Sequence, residues 1–337
     1  MTHRSSHPSR RALIQTAGLA LGAGALAQAS SAAAQGASDP IWSAEYWARK
    51  GEVRLFIYRK RIGQDVRPVL FLVHGSSFGC KSSYDLTVPG RTDYSLMDKF
   101  AALGFDVWTM DHENYGRSSR TASNSDIASG VDDLKAASEV VERETRQTRF
   151  HYYGQSSGAL RAGAFANRYP DRVDRLVLDA FVWTGEGAPE IQKRRERVDE
   201  LRAHNQRPAD RALYRSILTR DMPGTSEMIV AEALADAEAK YGTTVPTGTY
   251  LDMATKLPLV DPAKLPCAVQ IIRAEFDGIA TEEDLLAFYK VLPNKDKQFI
   301  FLSGSAHVSA FGVNRHRLWH VMNEFLTMPA RRDVKPG

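Results

Sequence analysis

Residues 151 to 158 read His-Tyr-Tyr-Gly-Gln-Ser-Ser-Gly, and no other stretch limits the possible folds so sharply. Its second part, Gly154-Gln155-Ser156-Ser157-Gly158, fits G-x-S-x-G, a sharp strand-to-helix turn that lifts a serine hydroxyl clear of a parallel sheet. A turn this tight leaves no room for β-carbons on either side of the serine, which accounts for the two glycines. The flanks agree with it. Arg149 to Tyr153 has the pattern of a short aromatic strand, and Ala159 to Tyr169 that of an alanine-rich helix. Ser156 is therefore a candidate nucleophile, and the remaining chain has to supply a base, an acid and oxyanion donors.

The totals suit one large α/β domain or two small ones: 337 residues, 25% charged and 43% hydrophobic. The formal net charge is +4, but Arg4, Arg10 and Arg11 stand in the first 34 residues with no acid, leaving 4 − 3 = +1 beyond them. Such a balance argues against a nucleic-acid-binding face. Two distant cysteines, Cys80 and Cys267, offer neither a disulfide framework nor zinc-ligand spacing and read as buried free thiols.

Residues 1 to 34 read as a targeting segment. Ser9-Arg10-Arg11-Ala12-Leu13-Ile14-Gln15 resembles the twin-arginine export signal, and a mildly apolar run from Ala17 to Ala27 follows it. That run is too short and too weakly apolar for a membrane span. Small residues at Ala32-Ala33-Ala34 suggest cleavage near Ala34, hence a periplasmic or secreted protein.

Beyond the segment the chain alternates strand and helix. Glu52 to Tyr58 and Val66 to Val73 read as strands, the second ending in an apolar run expected of a buried parallel strand. It stops at His74-Gly75-Ser76-Ser77-Phe78-Gly79. A helix from Ser95 to Leu103, a strand from Phe105 to Met110 and a loop, Asp111 to Ser118, come next. Within that loop Glu113 is a candidate for the mouth of a site. An amphipathic helix from Ile127 to Thr145 leads into the Ser156 turn. After a strand from Val173 to Phe181, no buried-strand signal appears until Ala268. Helical stretches fill the gap instead: Pro189 to Ala203, Ala209 to Thr219 and Ser226 to Tyr241. The charge run Arg194-Arg195-Glu196-Arg197 reads as a solvated helix face. The sheet resumes at Ala268 to Arg273, ending in Asp277-Gly278. A helix from Glu282 to Val291, a strand from Gln298 to Leu302 ahead of His307, and a helix from Arg315 to Leu326 complete the chain. Alternation of this kind implies a parallel sheet with helices on both faces.

Ser156, Asp277 and His307 thus follow three strands and share one sheet edge. The chain from Glu52 to Leu326 resembles the α/β-hydrolase superfamily, in its capped, esterase-like branch. The resemblance rests on His74-Gly75, Gly154-Gln155-Ser156-Ser157-Gly158, Asp277-Gly278 and His307, in the order nucleophile, acid, histidine. It implies a mostly parallel sheet of the eight-stranded type flanked by helices, with a helical cap inserted after the sixth strand. The core would comprise residues 35–184 and 259–337, and the cap 185–258. It further implies Ser156 as nucleophile, His307 as general base and acid, Asp277 as its orienter, and the Ser76 and Ser157 backbone N–H groups as the oxyanion hole. Ser77 is the alternative loop donor. Pocket candidates are Ser77, Phe78, Glu113, Tyr153 and Trp183, and Asp179 competes with Asp277 for the acid.

The expected activity is hydrolysis of a small or medium carboxylic ester, lactone or amide, with no cofactor or metal required. Carbon–carbon bond hydrolysis or cofactor-free oxygen chemistry on the same residues is a second reading, and a ligand-binding protein without turnover is a third.

Overall fold

The computed structural model describes residues 40–331; the export reading of residues 1 to 34 lies outside them. Eight strands form one sheet: β1 (Ile41–Lys50), β2 (Val53–Ile62), β3 (Val69–Val73), β4 (Asp106–Met110), β5 (Phe150–Gln155), β6 (Val173–Asp179), β9 (Ala268–Ala274) and β10 (Lys297–Leu302), while β7 (Gln206–Pro208) and β8 (Thr244–Pro246) pair with each other outside it. Their order across the sheet is β1-β2-β4-β3-β5-β6-β9-β10. β1 pairs antiparallel with β2, and β2 antiparallel with β4, while every pairing from β4 onward is parallel. This is the α/β-hydrolase fold that the motif order implies.

Period-two alternation explains how one strand serves two cores. In β3, Val69, Phe71 and Val73 join the cluster on one face, where Leu134, Val141 and Phe165 cover them. Leu70 and Leu72 point to the opposite face, against Phe100, Leu318 and Met322. All five β3 side chains are buried, each worth roughly 1.5–3 kcal/mol relative to exposure. The covering helices are α1 (Cys80–Tyr84), α2 (Leu96–Ala102), α3 (Ile127–Thr145) and α4 (Ser157–Arg168), with α10 (Glu282–Val291) and α11 (Arg315–Leu326) near the end. Local signals set their limits. The Asp126 side chain accepts the Ser129 N–H at the start of α3, and Arg146 closes it in a left-handed conformation.

Between β6 and β9 lies the insertion. It contains α5 (Pro189–Arg195), α6 (Val198–Ala203), α7 (Arg211–Thr219), α8 (Met228–Ala239) and α9 (Gly248–Thr255), with a two-stranded ribbon of β7 (Gln206–Pro208) and β8 (Thr244–Pro246). The single helix expected over Pro189 to Ala203 is broken at Glu196 and Arg197. The break lets Ile191 and Arg194 of α5 and Leu201 of α6 all turn inward. A third apolar cluster forms beneath the insertion, where Tyr214, Ile217 and Leu234 pack on Phe78, Tyr115 and Phe311 of the core. Cys80 and Cys267 are both buried free thiols. No helix among the described residues is long and apolar enough to cross a membrane.

Candidate active site

The Ser156 turn has the geometry its sequence demands. Ser156 adopts φ 57°, ψ −125° between β5 and α4, a conformation that costs a non-glycine residue on the order of 1–3 kcal/mol. Its N–H donates to the Asp179 carbonyl oxygen at 2.9 Å, which ties the turn to β6. A β-carbon on Gly158 would lie 2.0 Å from the Val73 carbonyl oxygen, and one on Gly154 would lie 2.4 Å from that of Gly158. Neither position tolerates a side chain.

Asp277 and His307 reach Ser156 from the ends of β9 and β10. His307 Nε2 lies 3.1 Å from Ser156 Oγ, and His307 Nδ1 lies 2.9 Å from Asp277 Oδ1. The same Asp277 oxygen accepts the Ile279 N–H at 3.0 Å. Burial alone would raise the Asp277 pKa, but the adjacent His307 and the Ile279 amide together hold it below the ordinary carboxylate value. Asp277 is thus ionised opposite the ring nitrogen it must orient.

The competing acid is engaged elsewhere. Asp179 Oδ2 accepts hydrogen bonds from the Tyr153 and Ser309 hydroxyls, both at 2.7 Å, and makes none to His307. Burial pushes its pKa up to about 6. His74 braces the loop: its Nε2 accepts the His112 N–H at 3.1 Å, and its Nδ1 lies 2.8 Å from the Gly75 carbonyl oxygen. Burial, helped by the charges of His112 and Arg161, holds the His74 ring well below the usual histidine pKa and therefore neutral.

Ser76 sits opposite the start of α4. Its Oγ donates to Ser157 Oγ at 2.7 Å and accepts from Thr249 Oγ1 at 2.8 Å. The Ser157 N–H opens α4, where no intrahelical acceptor exists. The Ser76 N–H donates to no backbone carbonyl among the described residues. The insertion holds this loop at three places. Thr249 grips the Ser76 hydroxyl. Arg207 donates to the Ser76 carbonyl oxygen at 2.9 Å and to Ser77 Oγ at 3.0 Å. Glu238 of α8 accepts the Gly79 N–H at 3.0 Å, and burial raises its pKa to about 7.

Ser156 and His307 open into a cavity shared with Ser76, Ser77 and Phe78, and with Arg194, Arg220 and Tyr250 of the insertion. Its free volume of about 20 Å³ matches the room of one or two waters. Arg194, Arg220 and Tyr250 also line an outer cavity of about 260 Å³ between α5, α6 and α7, so they form a collar between the two.

Three expected pocket residues lie elsewhere. Glu113 is buried against Lys50, 2.8 Å from its Nζ, and takes further hydrogen bonds from Ser129 and Thr121. The nearby cation drew it away from the mouth. Tyr153 lies in the core beneath the sheet edge, its hydroxyl on Asp179. Trp183 packs on Phe288 with ring centroids 5.8 Å apart and borders a separate surface groove with Pro258 and Leu259. The collar is not legible in the sequence. Its Arg194 stands in a charged run that reads as a solvated helix face, yet Arg194 is 6% exposed whereas Lys193, Arg195 and Arg197 face solvent. The one available signal was spacing, because Arg194 falls three residues after the buried Ile191.

Fold and sheet-edge geometry together define an α/β hydrolase. Residues 65–311 match the hydrolase family described as serine aminopeptidase, S33, and the chain belongs to that family. A segment of 115 residues is 34% identical to a 2-hydroxy-6-oxononadienedioate/2-hydroxy-6-oxononatrienedioate hydrolase of Paraburkholderia phymatum. The match covers 33% of this chain and spans about a third, 35%, of that relative's length. Among solved structures, E-2-(acetamidomethylene)succinate hydrolase superposes with a TM-score of 0.62 at 18% identity, covering 85% of this chain and 99% of the other. A thermophilic esterase from Thermogutta terrifontis gives 0.60 at 18% identity, with 85% and 98% covered. The 2-hydroxy-6-oxo-6-phenylhexa-2,4-dienoate hydrolase of Rhodococcus sp. strain RHA1 gives 0.59 at 17%, with 86% and 100% covered. These likenesses speak to the fold.

Proposed function

We propose that the protein is a serine hydrolase that cleaves a small or medium carboxylic ester through an acyl-enzyme on Ser156. The hydrogen-bonded chain from Ser156 Oγ through His307 to Asp277, at 3.1 and 2.9 Å, carries this reading. A serine hydroxyl is a weak nucleophile until a base within hydrogen-bond reach takes its proton. His307 Nε2 removes that proton as Ser156 Oγ bonds to the ester carbon. The carbonyl oxygen becomes an oxyanion received by the Ser157 and Ser76 N–H groups, with the start of α4 adding its dipole. The imidazolium, steadied by Asp277, then gives its proton to the departing alcohol oxygen as the tetrahedral intermediate collapses. Water enters, His307 takes its proton, and attack on the acyl carbon frees the acid and restores the Ser156 hydroxyl.

A second reading, hydrolysis of a carbon–carbon bond by the same residues, is favoured by the 34% match to a hydrolase acting on a hydroxy-oxo dioate. A fluorophosphonate probe and p-nitrophenyl esters test the first. Wild-type protein is expected to be labelled at Ser156 and to turn the esters over. Ser156→Ala is expected to lose labelling and about 10⁴- to 10⁶-fold of kcat/KM while melting as wild type does. Labelling that persists in Ser156→Ala would falsify the serine reading. Labelled protein that ignores all esters but cleaves a vinylogous diketone acid would move the assignment to the second reading.

A further inference from the structure

We infer that this hydrolase takes a substrate bearing a carboxylate, which Arg194 and Arg220 receive at the collar between the outer cavity and Ser156. The inference rests on the serine-hydrolase reading above and adds the substrate class.

Three guanidinium groups from three parts of the insertion converge there: Arg194 of α5, Arg207 of β7 and Arg220 just beyond α7. Tyr250 of α9 lies among them, with the guanidinium carbons of Arg194 and Arg207 at 4.5 and 4.0 Å from its ring centre. Buried arginines are ordinarily matched by acids. Here the match is incomplete. Arg194 donates to the Glu190 carbonyl oxygen at 3.3 Å and has no carboxylate within ion-pair distance among the described residues. Arg207 spends its hydrogen bonds on the neutral Ser76 carbonyl and Ser77 hydroxyl. Arg220 stands 3.7 Å from Glu190 and 3.6 Å from Asp221, beyond good hydrogen-bond range, and Glu190 is already held by Lys193 at 2.6 Å. The Nε of each of the three arginines is buried and has no hydrogen-bond partner.

With Lys193 set against Glu190, only Asp221 faces the three guanidiniums, and positive charge is left over. That excess fits an anion, and a planar carboxylate matches the two-pronged donor array of a guanidinium. The tyrosine reports the same deficit. Burial alone would raise its pKa, yet the charges of Arg207, Arg194 and Arg220 draw the phenol well below its ordinary value. The three guanidiniums thus favour a negative charge at this point. Arg194 and Arg220 line both the cavity of Ser156 and the outer one. A carboxylate entering from the outer cavity meets them at its junction with the Ser156 cavity.

The test compares p-nitrophenyl hexanoate with the p-nitrophenyl half-ester of adipic acid, which replaces the terminal methyl by a carboxylate. In wild type the ratio of kcat/KM, adipate over hexanoate, is expected at about 10- to 100-fold. It is expected to fall to about one or below in Arg194→Met and in Arg220→Met, and to stay intermediate in Arg194→Lys, in the range that charge-assisted hydrogen bonds allow. Fluorophosphonate labelling is run on every protein. It reports whether each variant is folded, and it separates the two hypotheses. Labelled wild type with a ratio at or below one overturns the carboxylate site and leaves the serine reading standing, and so does a high ratio that all three substitutions leave unchanged. Unlabelled wild type overturns the serine reading itself. Should a methionine variant fail to label, the wild-type ratio and Arg194→Lys still decide.

Discussion

Two clusters of arginines in the molecule are treated differently. On the antiparallel side of the sheet, Arg59 and Arg61 of β2 share Asp106 of β4. Arg59 grips it with two hydrogen bonds, at 2.8 and 2.5 Å, and Arg61 adds a third at 3.2 Å. The Arg61 donors left over go to the Gly63 and Asp65 carbonyls, and the Arg59 guanidinium lies over Trp108 at 4.6 Å. No buried nitrogen of either arginine lacks a partner. Arg194, Arg207 and Arg220 in the insertion have no comparable acid. Arg194 and Arg207 are held by carbonyls, a hydroxyl and the Tyr250 ring, and Arg220 only loosely by Glu190 and Asp221, with one buried nitrogen of each left over. A matched cluster is finished architecture. The unmatched one borders the Ser156 cavity, where the proposed carboxylate would complete it.

Removing the acid from the matched cluster should give the largest effect on stability. Asp106→Ala leaves two buried guanidiniums without their carboxylate and is expected to cost about 3–5 kcal/mol, read by urea denaturation. A loss below about 1 kcal/mol would mean that this cluster, too, is only loosely paired. Asp179 is the inverse of the insertion cluster: a buried acid with hydroxyl donors but no cation. Its folded pKa of about 6 lies above the ordinary 3.8. The native state therefore binds the proton more tightly, and stability falls as pH rises from about 4 to about 6, after which the whole penalty, roughly 3 kcal/mol, is present. Asp179→Asn should remove up to that amount at pH 8 and almost nothing at pH 4. A stability difference that does not change with pH counts against this account. The smallest effect is expected from Arg194→Met, which exchanges an underpaired buried cation for an apolar side chain. Stability should stay within about 1 kcal/mol of wild type or rise slightly, measured in the same urea titration. A loss as large as that of Asp106→Ala would make Arg194 structural.

The sequence discloses the catalytic edge better than the insertion, for a physical reason. Strands of the parallel sheet read as aromatic or apolar runs, and β5, β9 and β10, which precede Ser156, Asp277 and His307, each carry one; residues just beyond such runs meet at the sheet's edge. Ser156, Asp277 and His307 are legible on that ground. β1 is not, because its side chains are mostly exposed or half-buried along Ile41 to Lys50 and it lacks an apolar signal. The ribbon of β7 and β8 is three residues per strand, shorter than any periodicity can show. In α5, three charged residues in succession, Lys193 to Arg195, hide one inward arginine, since which face is covered depends on how α5 meets α9. Glu113 shows the converse. Its loop position suggested the site, but its fate was set by Lys50, 63 residues earlier.

The grip of Thr249, Arg207 and Glu238 on the loop from Ser76 to Gly79 makes the insertion part of the site's framework. The insertion is not an interchangeable lid resting on an independent engine. A chimera that replaced it would remove the side chains that hold the loop's amides at the mouth of the Ser156 cavity. Exchanges on the inner face of the insertion that keep Thr249, Arg207 and Glu238 leave that hold intact, whereas wholesale replacement does not.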